Sequence, residues 1–550
     1  MSNEPVRLTL CPESIGPRLD RPRPPGRRTT LQEHQISHAR TPEDAPPSTS
    51  PAATAGPSAT AGPSATAAGA PAAPAARSKW ILLAVVALAQ LMVVLDGTIV
   101  NIALPAAQRD LGMSDADRTW VVTVYALAFG SLLLLGGRIA DYWGRKRSFI
   151  LGMIGFAVAS AVGGVAVTGE MLLLARGLQG VFAALLAPAA LALLSVTFPS
   201  GPDRVKAFAV YGTIAGSGAA VGLLLGGVLT EYLSWHWCLL VNVPIAVVAV
   251  IAGIPLLKES RADGDRSYDV PGALLVTLGL ASIVYGFSRA ENGWGEPDTI
   301  GFLALGVGIM VAFVWWESKA RNPLLPLRVV ADRTRGGAYL TSVMVGAALL
   351  GGLLYLTLHF QIVLGMSPLI SGLASLPMAA TIMLTAPQVA RLLPKVGPRI
   401  LMTVGPLIAA AGLLWFSRIT VDGAYVVQVL PGQILLGIGL ACVFVPMQNV
   451  ALSGIEPRDA GVAGAALTGT QQIGGSIGTA VFTALFASAV TAATTDGVAN
   501  PLQQQVDGYH VVFLAAAIGV ACASVISWSM VRVPLERFRE GASSEAVSMH

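Results

Sequence analysis

Long apolar runs separated by short polar segments make up the chain from Trp80 onward. A helix needs about 20 mostly apolar residues to cross the hydrocarbon core of a bilayer. Fourteen runs approach or exceed that length, so the pattern predicts fourteen membrane-spanning helices. Twelve helices remain an alternative if the segment 270–317 does not cross. The predicted spans are 80–104, 118–137, 148–168, 171–197, 206–230, 237–257, 270–288, 300–317, 337–361, 369–391, 400–418, 424–452, 461–489 and 509–532.

Composition supports a membrane protein and excludes several other classes. Hydrophobic residues make up 54% of the chain and charged residues only 12%, whereas soluble domains average about 25% charged residues. The net charge is +4 and no basic patch is interleaved with aromatics, so we expect no nucleic-acid partner. The four cysteines are far apart, and no phosphate-binding or metal-ligand spacing occurs. We therefore expect no metal, no cofactor and no ATPase activity.

The distribution of positive charge predicts the orientation. If the N-terminus lies in the cytoplasm, thirty of the 35 Lys and Arg residues fall on the cytoplasmic side of the predicted spans. Because positive residues near membrane ends stay on that side, both termini are predicted to be cytoplasmic. The densest cluster is loop 136–147, which reads Gly-Gly-Arg-Ile-Ala-Asp-Tyr-Trp-Gly-Arg-Lys-Arg.

A degenerate copy of this loop predicts two related halves. Residues 390–399 follow the second helix of the second six-helix block, as loop 136–147 follows the second helix of the first. Parallel halves of this kind are typical of transporters whose site lies near the midplane. The chain then divides into a disordered cytoplasmic tail (1–79), a six-helix bundle (80–258), two linker helices with cytoplasmic loops (259–336), a second six-helix bundle (337–535) and a short cytoplasmic tail (536–550).

Asp96 is the only acidic residue predicted to lie deep within a span. An ionisable group there costs at least about 2.5–3.5 kcal/mol on insertion scales and so marks a functional site by default. We interpret Asp96 as a proton-coupling residue; the alternative is a structural hydrogen bond to Thr98 or Asn101. Arg176, in the fourth span, keeps its charge and would tune Asp96. Its alternative role is to extend toward the outer membrane surface.

Three further groups are candidates for transport. Glycines spaced by four on the fifth span let another helix approach closely: Gly218, Gly222 and Gly226, with Gly227 beside them. Loop 136–147 could also act as a conformational latch, in which Asp141 pairs with nearby arginines or a helix N-terminus in one state only. Its candidate latch residues are Gly137, Asp141, Gly144, Arg145 and Lys146. Candidate substrate-cavity residues are Tyr125, His359, Gln361, Gln448, Asn449 and Gln472, although each could equally join helices.

Together these segments resemble the major facilitator superfamily, in particular its fourteen-helix drug:proton antiporter family. Residues 95–105 are similar to the family's first-helix motif, loop 136–147 to its shared loop motif, and residues 176–180 to its fourth-helix motif. Residues 323–328 and 461–472 also resemble segments of this family. The resemblance implies an all-α integral membrane protein with the major facilitator fold, two six-helix bundles plus two extra helices.

Two positions depart from the family pattern. Leu223 stands where the fifth-helix antiporter motif has proline, which predicts a straighter helix. His236 replaces an arginine between two tryptophans, so a fixed charge has become titratable.

The resemblance implies a multi-pass protein of the bacterial cytoplasmic membrane. It would export amphipathic drugs, antibiotics or secondary metabolites in exchange for protons. Its partners would be a small-molecule substrate, protons and the lipid bilayer, with the proton gradient as energy source, and we expect a monomer. A proton-coupled uptake symporter and a non-transporting receptor or scaffold remain alternatives. An enzyme is disfavoured because the sequence contains no nucleophile–base arrangement.

Overall fold

A computed structural model of the chain describes residues 76–199, 201–261, 268–290, 293–455 and 460–533. Within these ranges, 14 helices are long and apolar enough to cross a membrane. The fourteen-helix prediction is confirmed, and segment 270–317 forms two of the helices. In chain order they are α1 (Ala76–Leu111), α2 (Asp115–Trp143), α3 (Arg145–Gly164), α4 (Gly169–Thr197), α5 (Gly201–Tyr232), α6 (Trp237–Leu256), α7 (Val270–Arg289), α8 (Pro297–Lys319), α9 (Arg333–Val363), α10 (Pro368–Val396), α11 (Pro398–Phe416), α12 (Tyr425–Ala451), α13 (Ala460–Thr495) and α14 (Pro501–Met530).

Several helices begin at side chains that bind free backbone N–H groups. At α2, Ser114 Oγ accepts the Asp117 N–H while the Asp117 carboxylate accepts the Ser114 N–H, which forms a capping box. The Asp269 side chain accepts the Gly272 N–H at the start of α7, and the Asp332 side chain accepts the Arg335 N–H at the start of α9. Helix α9 ends in a π-helical turn, His359–Val363. The helices therefore extend past the apolar runs, because caps and polar turns lie outside the hydrophobic stretch.

The helix packing forms two groups and an additional pair. In the first group α2 and α3 pack on α4, and α1 packs on α5; in the second, α9 packs on α13 and α11 on α12. Helices α7 and α8 pack on each other, and α7 also contacts α2 and α13. Helices α7 and α8 therefore lie beside the contact between α2 of the first group and α13 of the second.

Side-chain hydrogen bonds join the two groups at one end of the bundle. We call the end that carries loop 136–147 the basic end. Gln361 Nε2 donates to the Ile102 carbonyl at 2.9 Å, and the Thr483 and Thr119 hydroxyls are 3.2 Å apart. The Glu231 carboxylate accepts the Leu369 N–H at 2.9 Å. All three contacts lie at the opposite end, so this state is closed there.

The internal repeat is visible in the backbone of its two turns. Gly144 separates α2 from α3 with φ 131° and ψ 131°, and Gly397 separates α10 from α11 with φ 87° and ψ 157°. Both turns use a positive φ, which glycine adopts without steric penalty. The two loops that match in sequence thus occupy matching positions in the two halves.

Candidate functional site

Asp96 and Arg176 form an ion pair in the interior of the first half. Asp96 lies in the middle of α1 and is fully buried, while Arg176 in α4 is 1% exposed. Arg176 Nη1 lies 2.6 Å from Asp96 Oδ2. Two unlike charges placed this close remove most of the penalty of burying either one alone.

Two amide side chains complete the coordination of the Asp96 carboxylate. Asp96 Oδ1 accepts hydrogen bonds from Gln179 Nε2 at 2.9 Å and from Asn242 Nδ2 at 2.8 Å. Gln179 Nε2 and Asn242 Nδ2 also lie 2.7 Å and 3.4 Å from Ser160 Oγ. With Arg176, three donors from α4 and α6 hold one carboxylate.

Arg176 is fixed by groups that carry no formal charge. Its Nε donates to the Val121 carbonyl at 3.1 Å, and its Nη1 also donates to Gln179 Oε1 at 2.8 Å. The guanidinium lies 4.3 Å from the ring centroid of Tyr125, a separation suited to a cation–π contact. Arg176 would therefore keep partners if Asp96 took up a proton.

The structure overturns both alternatives for this pair. Thr98 Oγ1 donates to the carbonyls of Val94 and Leu95, and Asn101 Nδ2 donates to that of Gly97. These residues satisfy their own helix and do not bind Asp96, so the prediction of a local structural hydrogen bond is wrong. Because Arg176 is buried against Asp96, its extension to the outer surface is also wrong.

The glycines of α5 lie directly against the turn of α1 that carries Asp96. A methyl group added at Gly218 would lie 2.9 Å from Val94 Cγ1, and one at Gly226 would lie 2.8 Å from the Ile99 carbonyl oxygen. A methyl group at Gly222 would clash with Thr98 Oγ1 and lie 3.1 Å from the Leu95 carbonyl oxygen. Close backbone approach along one helix face is what this spacing allows.

Gly227 faces the other half. A methyl group there would lie 2.8 Å from Leu369 Cα in α10. Leu223, at the position of the family's proline, is 1% exposed, and its carbonyl lies against Gly372 of α10. Helix α5 runs without a break from Gly201 to Tyr232. It therefore connects the Asp96 turn of α1 to α10.

In this state loop 136–147 is held by a contact within itself and by contacts with residues at and beyond the end of α6. Arg145 Nη2 lies 2.8 Å from Asp141 Oδ1. The N–H of Arg145 donates to the Ser260 carbonyl at 3.0 Å, and Lys146 Nζ donates to the Ile254 carbonyl at 2.7 Å. Gly137 is less constrained, since a methyl group there would meet Pro188 at 3.6 Å, an ordinary contact.

Comparison with known proteins decides the family. A family model described as Major Facilitator Superfamily matches residues 86–479. The chain belongs to the Major Facilitator Superfamily. This facilitator is 46% identical over 474 residues to a puromycin resistance protein of Streptomyces alboniger, covering 85% of this chain and 94% of the relative. It is 37% identical to a tetracenomycin C resistance and export protein of Streptomyces glaucescens, covering 75% and 76%.

Solved structures share the fold at low identity. A bacterial homologue of the human lysosomal transporter Spinster matches with a TM-score of 0.61 at 16% identity, covering 84% of this chain and 98% of that one. The tetrameric protein PepTSo2 matches with a TM-score of 0.57 at 18% identity, covering 84% of this chain and 99% of that one. With fourteen apolar helices and these relatives, the facilitator is a multi-pass protein of the bacterial cytoplasmic membrane.

The facilitator does not gather the predicted cavity residues into one place. Tyr125 is buried beside Arg176, and His359 is buried in the π-helical turn of α9. Gln448 and Asn449 are exposed near the basic end of α12. Gln361 bridges to α1, while the Cβ of Gln472 packs close to Gly130 of α2.

Sequence reasoning missed two members of the Asp96 cluster. Asn242 interrupts an apolar run on α6, and Ser160 lies among alanines on α3. An amide inside an apolar span is a detectable signal, because an unpaired polar group in lipid is unfavourable. Across the described ranges of the facilitator, no three His, Cys, Asp or Glu side chains lie close enough to share a metal ion.

Proposed function

We propose that this facilitator exports amphipathic small molecules of antibiotic type across the bacterial cytoplasmic membrane in exchange for protons. The observation that carries the proposal is the buried Asp96–Arg176 pair, in which Gln179 and Asn242 also donate to the carboxylate. A carboxylate held by three donors in a dry site is a suitable proton acceptor only if the surrounding helices can move.

Export of antibiotic-type cargo is supported by the relatives. Curated proteins 33–46% identical to this chain are described as resistance or export proteins for puromycin, tetracenomycin C, cephamycin and lincomycin. The relatives name four different compounds, so they support a class of substrate and not a single substrate. We therefore assign the substrate class and leave the individual substrate to the assay.

Coupling between proton and cargo would pass through α5. Gly222 lies against the α1 turn that carries Asp96, and Gly227 lies against α10 of the other half. Protonation of Asp96 would remove its charge from the Arg176 pair, and a buried pair that loses one charge is destabilised by about 3–5 kcal/mol. A displacement of α1 would then change the α5–α10 contact and reopen the opposite end.

The same proposal covers the energy source and the assembly. The proton gradient would drive transport without a cofactor or enzymatic chemistry. Each chain would work as a monomer, since both halves of the transport pathway lie in it. On the predicted orientation the basic end is cytoplasmic, so the present state would face the cytoplasm.

The test is transport into everted membrane vesicles with an imposed proton gradient, using labelled puromycin and then tetracenomycin C, cephamycin and lincomycin. Wild-type protein should accumulate at least one of them when the vesicle interior is acidic. Asp96→Asn should reduce accumulation by about tenfold or more, since it removes the proton-binding carboxylate.

Asp298→Asn is the matched control. Asp298 is an exposed carboxylate 3.5 Å from Arg289 near the start of α8, and its loss should leave export unchanged. Folding of each variant is checked by thermal unfolding in detergent. Normal accumulation by folded Asp96→Asn would overturn the proton role of Asp96. Gradient-driven entry into right-side-out vesicles would instead identify an uptake symporter.

A further inference from the structure

Two buried acidic side chains lie at the basic end of the extra helix pair, far along the chain from Asp96. Asp269 is the N-cap residue of α7 and is 8% exposed. Glu317 lies in the last turn of α8 and is 3% exposed. Neither takes part in the site described above, and burial of two acids together calls for a physical account.

Both carboxyl groups bind the backbone of the segment that follows α8, residues 320–326. Asp269 Oδ2 accepts the Leu324 N–H at 3.2 Å, and Glu317 Oε2 accepts the Leu325 N–H at 3.0 Å. Asp269 Oδ1 also accepts the Gly272 N–H at 2.9 Å and Trp316 Nε1 at 2.8 Å. The two acids therefore hold α7, α8 and the segment together.

The two carboxyl groups also face each other. Glu317 Oε1 has no hydrogen-bond partner among the described groups. A methyl group added at Gly272 would touch Asp269 Oδ2 and Glu317 Oε1 at 2.5 and 2.7 Å, so both oxygens border the same small space. Two carboxylates placed so close in a dry site retain one proton between them.

The hydrogen bonds indicate which acid carries that proton. Burial opposes ionisation of Asp269, but hydrogen bonds from Trp316, Gly272, Glu317 and Leu324 outweigh it and lower the pKa of the Asp269 carboxyl. Asp269 is therefore the ionised member. A proton on Glu317 Oε1, which has no hydrogen-bond partner among the described groups and borders the same space as Asp269 Oδ2, would be placed to donate to Asp269.

Within the described ranges, the charged and titratable neighbours do not neutralise the pair. On α2, Arg138 donates to Tyr142 Oη at 2.9 Å and to the Pro323 carbonyl at 3.0 Å. On α8, Lys319 Nζ lies 4.3 Å from the Trp315 ring centroid. In the segment itself Arg321 is exposed. Among the residues that the structure describes, the other groups nearby are Tyr268, whose ring packs on Tyr142, and Arg328, which is exposed and has a partner of its own.

We propose that Asp269 and Glu317 form a second proton-binding site, and that the proton held there fastens α7 and α8 to segment 320–326 and, through Pro323, to Arg138 of loop 136–147. Loss of the proton leaves two adjacent buried carboxylates, which repel each other and draw water into the contact. The segment then separates from the helix pair. This site makes the attachment of the extra helices sensitive to pH at the basic end, independently of proton exchange at Asp96.

The test is hydrogen–deuterium exchange of the peptide covering residues 320–327, in purified full-length protein in lipid nanodiscs. Its rate is compared with the chemical exchange rate from acidic to alkaline pH. In wild type, protection of Leu324 and Leu325 should fall by about tenfold or more as pH rises, because their acceptors separate. If the exchange rate of this peptide changed with pH only as the chemical exchange rate does, its protection would be constant and the proposal would be overturned.

Glu317→Gln isolates the role of the proton. The glutamine amide can donate to Asp269 and still accept the Leu325 N–H, so it imitates the protonated acid at every pH. The peptide should then stay protected throughout the pH range. Asp298→Asn, at the far end of the same helix, should keep the wild-type response. A wild-type pH response in Glu317→Gln would overturn the proposal.

A second variant keeps the test decisive if Glu317→Gln does not fold. Trp316→Phe removes the indole donor of the Asp269 carboxylate, so the pair should hold its proton to higher pH. The loss of protection should then begin about one pH unit higher, the shift expected for one such hydrogen bond. If protection of the peptide began to fall at the same pH in Trp316→Phe as in wild type, the proposal would be overturned. Neither outcome depends on transport. Failure of this proposal can therefore be told apart from failure of the proposed proton coupling at Asp96.

Discussion

Gly226 and Gly227 are adjacent on α5 and face opposite halves of the transporter. A methyl group at Gly226 would lie 2.8 Å from the Ile99 carbonyl oxygen of α1, within the first half. One at Gly227 would lie 2.8 Å from Leu369 Cα of α10, in the second half. One turn of helix thus contains a contact inside a half and a contact between halves.

This difference predicts distinct effects of two alanine substitutions. Gly227→Ala should disfavour the present state by about 1–3 kcal/mol through overpacking, because the contact with α10 belongs to the closed opposite end. The population open at that end should rise by about fivefold or more. The measurement is labelling of a cysteine placed at Thr119 by a membrane-impermeant maleimide, in a background without the native cysteines.

Gly226→Ala is the matched control for that experiment. Its methyl group would strain a contact within one half, so it should lower the thermal unfolding temperature and increase labelling at position 119 clearly less than Gly227→Ala does. Equal labelling of the two variants would show that the α5–α10 contact does not distinguish the states.

Loop 136–147 offers a second matched pair. Gly144→Ala should destabilise the protein by about 1–3 kcal/mol, because φ 131° is strained for alanine, and because its methyl group would meet the Glu259 carboxylate. Gly137→Ala should change stability by less than about 0.5 kcal/mol, since it makes only an ordinary contact. Thermal unfolding in detergent measures both. A larger loss at Gly137 would point to a contact made only in another state.

Asn242 should tune proton binding without being essential for it. Asn242→Ala removes one of three donors to Asp96, so the carboxylate loses about 1.5–3 kcal/mol of stabilisation. If Asp96 carries the coupling proton, the pH of half-maximal export should differ from that of wild type by about one unit or more. The measurement is the initial rate of vesicle export across a pH series.

Asn101→Ala is the control for Asn242. Asn101 is equally buried on α1, but its amide donates to the carbonyl of Gly97 in its own helix. Its loss should lower stability and leave the pH profile in place. A profile that shifts equally in both variants would assign the effect to general loosening of α1.

His359 should be dispensable for coupling. It is 1% exposed, and its ring packs edge-on against Tyr509 with centroids 6.1 Å apart. His359→Phe keeps an aromatic ring of similar shape, so export should stay within about twofold of wild type, with an unchanged pH profile. A shifted profile would instead identify His359 as a second group that titrates during transport.

The membrane pattern made much of the fold predictable. Helix number followed from run length, and the unfavourable burial of charge selected Asp96 and Arg176. The glycine spacing indicated a close approach, although not that α1 lies on one side of α5 and α10 on the other. Helix rotation decides which face meets which neighbour, and tertiary packing sets that rotation.

Polar residues inside or beside apolar spans were harder to interpret. Asn242 bears no charge, so its presence in an apolar span does not by itself predict a functional site. Its partner becomes clear only when α6 is placed against α1. Glu317 ends an apolar run in the sequence, where an acid normally faces water. Only the fold of segment 320–326 over it shows that the side chain is enclosed.

The complete burial of Asp96 affects whether protons can leak across the membrane through this site. In this state the carboxylate is 0% exposed and lies inside the first half, away from the interface between the halves. A group sealed from both aqueous compartments cannot exchange a proton with either of them in this state. If Asp96 carries the coupling proton as proposed, this state does not let protons leak through that site and so preserves the membrane's proton-motive force.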